Sequence, residues 1–143
     1  MDPLSLAASV TGLILFVKEV KQLSSDLYQT VKKKPQLIQA IAEDLDALQS
    51  VLEELEHTHK SSHKEGLAQE QNALSKVLFS CNRTLTEING RLVTLQQMFT
   101  RKIVSRLISY KKFDTELKEI VNLRDELGAV KATLSLALHL RVM

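Results

Sequence analysis

Apolar residues recur along this chain at three-four spacing almost from end to end, the period of an amphipathic helix. In the first stretch Leu6, Val10, Leu13, Val17, Val20, Leu27 and Val31 form one stripe, with Ser24 as its polar interruption. Asp2 can accept from free N–H groups as an N-cap, and Pro3 suits the first helical position, so a helix is predicted over 3–31. Lys32-Lys33-Lys34-Pro35 ends it: proline disfavours αR in the residue before it, and cations suit a helix C-terminus.

The second stretch, 35–57, sets Leu37, Ile41, Leu45, Leu48, Leu52 and Leu55 on one seam and keeps its carboxylates mostly off it. THKSSHKEG, residues 58–66, is polar, holds a glycine and reads as a loop. A third helix over 67–99 follows from Leu67, Leu74, Leu78, Cys81, Leu85, Ile88, Leu92, Leu95 and Phe99, and could span about 50 Å. RKIVSRLISYKK, residues 101–112, has five basic and no acidic side chains interleaved with apolar ones, and is expected to form a short helix or an irregular crossing. Asp114 can then cap a last helix over 114–140, whose Leu117, Ile120, Leu127, Val130, Leu134 and Leu138 share a face. That helix meets no stop signal before Met143, which suits an N-terminal domain cut from a longer protein.

No segment has the strand period and none repeats. Each stripe must be buried, and sequence neighbours joined by short connections can bury one another. The expected fold is therefore a single all-α domain over 1–143: an antiparallel bundle of four long helices with an additional short helix or irregular crossing segment.

Composition agrees with this picture and narrows the function. The 143 residues are 44% hydrophobic, enough for a real core, and only two prolines and four glycines interrupt the helix formers. A net charge of +2 is too small for the broad positive field of a nucleic-acid binder, so no nucleic-acid partner is expected. Cys81 is the only cysteine, which fits a reducing compartment and a cytoplasmic location.

The fifteen uncharged residues from Pro3 to Val17 raise the question of a signal or a span. Asp2 stands where a signal peptide has Lys or Arg, and no cleavage site follows. Fifteen helical residues reach roughly 22 Å, short of the roughly 30 Å hydrocarbon core of a bilayer.

Candidate chemistry is thin. His59 and His63 would share a face if their stretch were helical, which is a candidate pair of metal ligands, but imidazoles in a polar loop are more often solvated. Cys81 lies on the third helix's seam, where a buried thiol is the plain reading. The chain lacks a phosphate-binding glycine loop, a nucleophile elbow and HExxH. No catalytic residue, no resident metal and no cofactor is expected, and the chain is not expected to be an enzyme. Two basic clusters could meet anionic lipid: Lys32, Lys33 and Lys34, which also terminate a helix, and Arg101, Lys102, Arg106, Lys111 and Lys112, which could equally close one end of the bundle.

The opening helix holds more apolar surface than one stripe needs. Leu4, Ala8 and Leu15 project almost opposite the stripe, with Ile14 at one flank, and Ala8 with Gly12 makes a small-xxx-small pair that lets another helix approach. Either the helix is wrapped on most sides within the bundle, or the outer strip is a contact surface for lipid or a partner. Leaving leucines in water forgoes roughly 1.5–3 kcal/mol each, so exposure would need a functional reason.

The opening MDPLSLAASVTGLI resembles the start of the HeLo-like group, fungal N-terminal domains of STAND (NACHT-type) receptors and related proteins. LQSVLEEL in the second helix, the Cys81-containing third helix and the closing KATLSLAL at 131–138 are similar to that group too, so the likeness covers nearly the whole chain. The resemblance implies a helical bundle that executes or regulates programmed cell death in heterokaryon incompatibility and immunity. It implies a cytoplasmic resting state, self-association once an upstream receptor gathers copies, and permeabilisation of the plasma membrane by the N-terminal helix. The matching positions are Leu4, Leu6, Val10, Leu13, Ile14, Leu15, Phe16 and Val17. A Gly/Asn/Gln-rich amyloid motif and a nucleotide-binding module, which such proteins carry, are not found in this chain. The alternative expectation is a non-lytic adaptor that self-associates or binds a partner helix through Leu4, Ala8 and Leu15.

Overall fold

The computed structural model describes residues 3–30, 35–61, 68–100 and 106–142, with side chains described over 6–29, 35–58, 72–98 and 112–139. All of them lie in four helices: α1 (Pro3–Thr30), α2 (Pro35–Ser61), α3 (Ala68–Thr100) and α4 (Arg106–Val142). Both prolines open helices, where a missing N–H costs nothing.

α1 packs on α2 and α3, and α4 packs on the same two helices, so α1 and α4 occupy opposite corners of a square. Cross-helix contacts give the directions. Thr11 Oγ1 donates to Glu56 Oε2 at 2.7 Å, and Lys21 Nζ to Asp46 Oδ1 at 2.8 Å, so α2 runs antiparallel to α1. Arg124 of α4 meets Asp44 of α2, while Leu138 lines a groove with Ser50 to Thr58, so α2 and α4 are parallel. Only residues 101–105 separate α3 from α4, and Arg91 Nη1 pairs with Glu116 near that end at 3.1 Å, so α4 returns antiparallel along α3. It follows that α1 and α3 lie side by side and parallel.

The centre is a single apolar cluster. α1 contributes Leu6, Val10, Leu13, Val17, Val20 and Leu27, and Ser24 is tolerated among them because its Oγ donates to the Val20 carbonyl at 3.0 Å. α3 contributes Leu74, Leu78, Cys81, Leu85, Ile88, Leu92 and Leu95, as the spacing requires.

In the helix bounds and the seams of α2 and α4 the structure differs from the sequence expectations at four places. Ile38, fully buried, takes the seam position assigned to Leu37, which packs at the edge. α2 continues through Ser61, so residues 58–61 are helical rather than loop; Gly66 is the sole strong breaker in that stretch. There is no separate short element over 106–112, because α4 already begins at Arg106 and runs for 37 residues. Asp114 is accordingly an exposed residue inside a helix, and Phe113 and Leu123 join the core beside the expected leucines.

Candidate functional site

The first half of α1 presents two unlike faces. Leu6, Val10, Leu13 and Val17 point inward, while Ala8, Gly12 and Leu15 are exposed, Leu15 at 57%. The neighbouring Ile14 does not belong to this strip. It is only 6% exposed, a correction to its assignment as a contact residue. The physical reason is the corner position of α1: α2 covers the flank on which Ile14 sits, alongside the Thr11–Glu56 and Lys21–Asp46 contacts. Leu4 lies in α1 but its side chain is outside the described residues.

Beside the strip, residues 9–16 of α1 face residues 75–82 of α3 across a groove of about 440 Å³, whose lining includes Gly12, Leu13, Phe16, Leu78 and Phe79. Gly12 is exposed, and a Cβ built on it would meet nothing within 4 Å, so the groove is open at this edge. Phe79 forms the far rim and is 71% exposed, more than any other large hydrophobic described. Sequence reasoning missed it. The available signal was the one that exposed Leu15: an apolar residue directly beside the seam residue Leu78 but off the three-four rows.

Ion pairs tie three of the four adjacent helix pairs: Lys21–Asp46 between α1 and α2, Arg91–Glu116 between α3 and α4, and Arg124–Asp44 between α2 and α4. Asp44 accepts from Arg124 Nε at 2.7 Å, and this hydrogen bond holds the guanidinium pKa above its ordinary value. Among the described residues no ion pair joins α1 to α3. On the side where the groove opens, Leu13, Phe16, Leu78 and Phe79 supply an apolar lining, with Ser9, Ser75 and Asn82 beside them.

The remaining candidates divide as follows. α1 and α3 end, and α2 and α4 begin, at one end of the bundle; Lys32, Lys33, Lys34, Arg101 and Lys102 fall between these helix ends in sequence but lie outside the described residues. Arg106 and Lys111 are in α4 with side chains outside the described set, and Lys112 is exposed. His59 is in the last turn of α2, its side chain not described, and His63 lies outside the described residues. No group of three or more His, Cys, Asp or Glu among the described residues could hold a metal ion. Cys81 is fully buried, and burial pushes its thiol up to about 12, so it carries no thiolate near neutrality. No helix among the described residues is long and apolar enough to cross a membrane.

No curated protein and no solved structure matches the chain. One family model does, from residue 1 to residue 143, described as pigment biosynthesis cluster protein PigL N-terminal. The helical bundle with the exposed α1 strip and the α1/α3 groove therefore belongs to the PigL_N family.

Proposed function

We propose that this chain is a membrane-targeting, membrane-permeabilising effector domain of fungal programmed cell death, acting in heterokaryon incompatibility or receptor-triggered immunity through α1 once copies assemble. The observation that carries the reading is the exposed, uncharged strip Ala8, Gly12 and Leu15 on a helix whose first charge after Asp2 is Lys18. Insertion would be interfacial: an amphipathic helix lies in the headgroup region on its apolar face, and nearby cations add attraction to anionic lipid. The resemblance to the HeLo-like group supplies the biological setting, a cytoplasmic bundle recruited to the plasma membrane. The family description names an N-terminal part, which suits a module that acts for a larger protein. No catalysis and no cofactor enters this function.

Dye-filled anionic vesicles test it. The chain should release the dye, and Leu15→Glu should suppress release at least about 10-fold, since a carboxylate on the inserting face is costly to desolvate. Vesicles that stay tight with the wild-type chain would refute the reading. A second reading, a non-lytic adaptor that binds a helix, is favoured by one observation: the strip runs on into the Phe79-rimmed groove of about 440 Å³. It predicts partner binding without any vesicle binding.

A further inference from the structure

We infer that the α1/α3 face joins two copies of this chain about a two-fold axis parallel to the bundle, each α1 lying along the α3 of the other copy. The inference deepens the proposed function by naming the partner of the same face. It rests on that reading only for its consequence, that this resting pair covers Leu15 and must open before α1 acts in the larger assembly.

The argument starts from Phe79. A phenyl ring that is 71% exposed forgoes much of its burial energy, and it stands at one edge of a groove that is open at its other edge, where exposed Gly12 has free space about it. The ring cannot fill its own groove from the rim. A ring from a second copy can.

Because α1 and α3 are parallel and adjacent, a two-fold along the bundle axis exchanges their places without changing the height of any residue. Phe79 then descends on the partner copy's Ala8, Gly12 and Leu15, since residues 75–82 lie level with residues 9–16. One step further along, Glu19 follows Phe16 on α1 and Arg83 follows Asn82 on α3, at nearly the same height. Both are exposed, and neither makes an ion pair within the chain among the described residues. The axis brings them together twice, as two Glu19–Arg83 pairs. The other face-to-face two-fold, perpendicular to the helices and passing at the height of Phe79, lays α1 antiparallel on α1 and stacks Phe79 near Phe79, with no acidic residue among those with described side chains level with Arg83. Charge complementarity selects the first arrangement.

Sedimentation of the lipid-free chain across the micromolar range tests this, with circular dichroism confirming that each surface variant stays folded. A reversible dimer is expected. Phe79→Asp should weaken it at least about 30-fold, as loss of a central aromatic anchor does. Glu19→Arg and Arg83→Glu should each weaken it about 5- to 30-fold, and the double variant should return to within about 3-fold of wild type. A monomer at all concentrations, or a double variant no better than the singles, would overturn the inference. A dimer that never leaks vesicles refutes the membrane function alone, and a leaking strict monomer refutes the pairing alone.

Discussion

Truncating two adjacent residues of α1 should have sharply different costs, because the bundle's corner geometry buries one and displays the other. Ile14 is 6% exposed and Leu15 57%. A large-to-small change at a buried Ile or Leu costs about 2–5 kcal/mol, lost transfer energy plus the cavity left behind. Alanine's better helix propensity returns a few tenths of that, so Ile14→Ala should lose about 2–4.5 kcal/mol. Full burial of a leucine is worth about 1.5–3 kcal/mol. Leu15 realises less than half of it, and after the propensity gain Leu15→Ala should cost under about 1 kcal/mol. For a chain of this length each kcal/mol moves Tm by roughly 3–4 °C, so the two variants should separate by at least about 3 °C. Urea unfolding followed by far-UV circular dichroism, with one m-value for all three proteins, measures the difference directly. Equal losses, or a larger loss at Leu15, would refute the assignment of Ile14 to the core and Leu15 to the surface.

Two further outcomes follow from the core and the groove. Cys81 ionises near 12 when folded and near 9.0 otherwise, so between those pH values the unfolded chain holds fewer protons than the folded one. Stability should therefore fall with rising pH there, by up to about 1.4 kcal/mol per unit, and Cys81→Ala should remove that part of the slope; identical slopes in the two proteins would contradict it. Gly12→Ala should stabilise the monomer by about 0.5–1 kcal/mol, since the added methyl meets open space in a helix interior; a loss of stability would mean that this edge of the groove is occupied.

The four helices and most of their seams are legible from spacing, because an apolar residue every three or four positions has one economical explanation. What spacing leaves open is which flank a neighbour covers. Leu37 and Ile38 stand about equally far on either side of the α2 seam, and packing, not period, buries Ile38. Ile14 sits on a flank in the same way and is claimed by α2, so the contact strip is narrower than the wheel suggests. The basic run up to Lys112 resembles an interruption, but lysine and arginine are good helix formers, and exposed Asp114 shows that a capping residue type inside a helix marks no boundary by itself. Phe79 escaped notice because its significance depends on the parallel neighbour α1, and no local pattern encodes that pairing. The chain's membership of the PigL_N family rests on the match over its full length, not on any single motif.

The central claim, that the α1 strip acts on membranes, is tested most directly by vesicle leakage with two equally exposed leucines compared. Leu15 is 57% exposed on α1 and Leu136 is 59% exposed on α4, at the opposite corner of the bundle. Against anionic vesicles the wild-type chain and Leu136→Glu should release dye alike, while Leu15→Glu should fall at least about 10-fold with its fold intact. Equal activity of Leu15→Glu and wild type, or equal loss in both variants, would contradict the account.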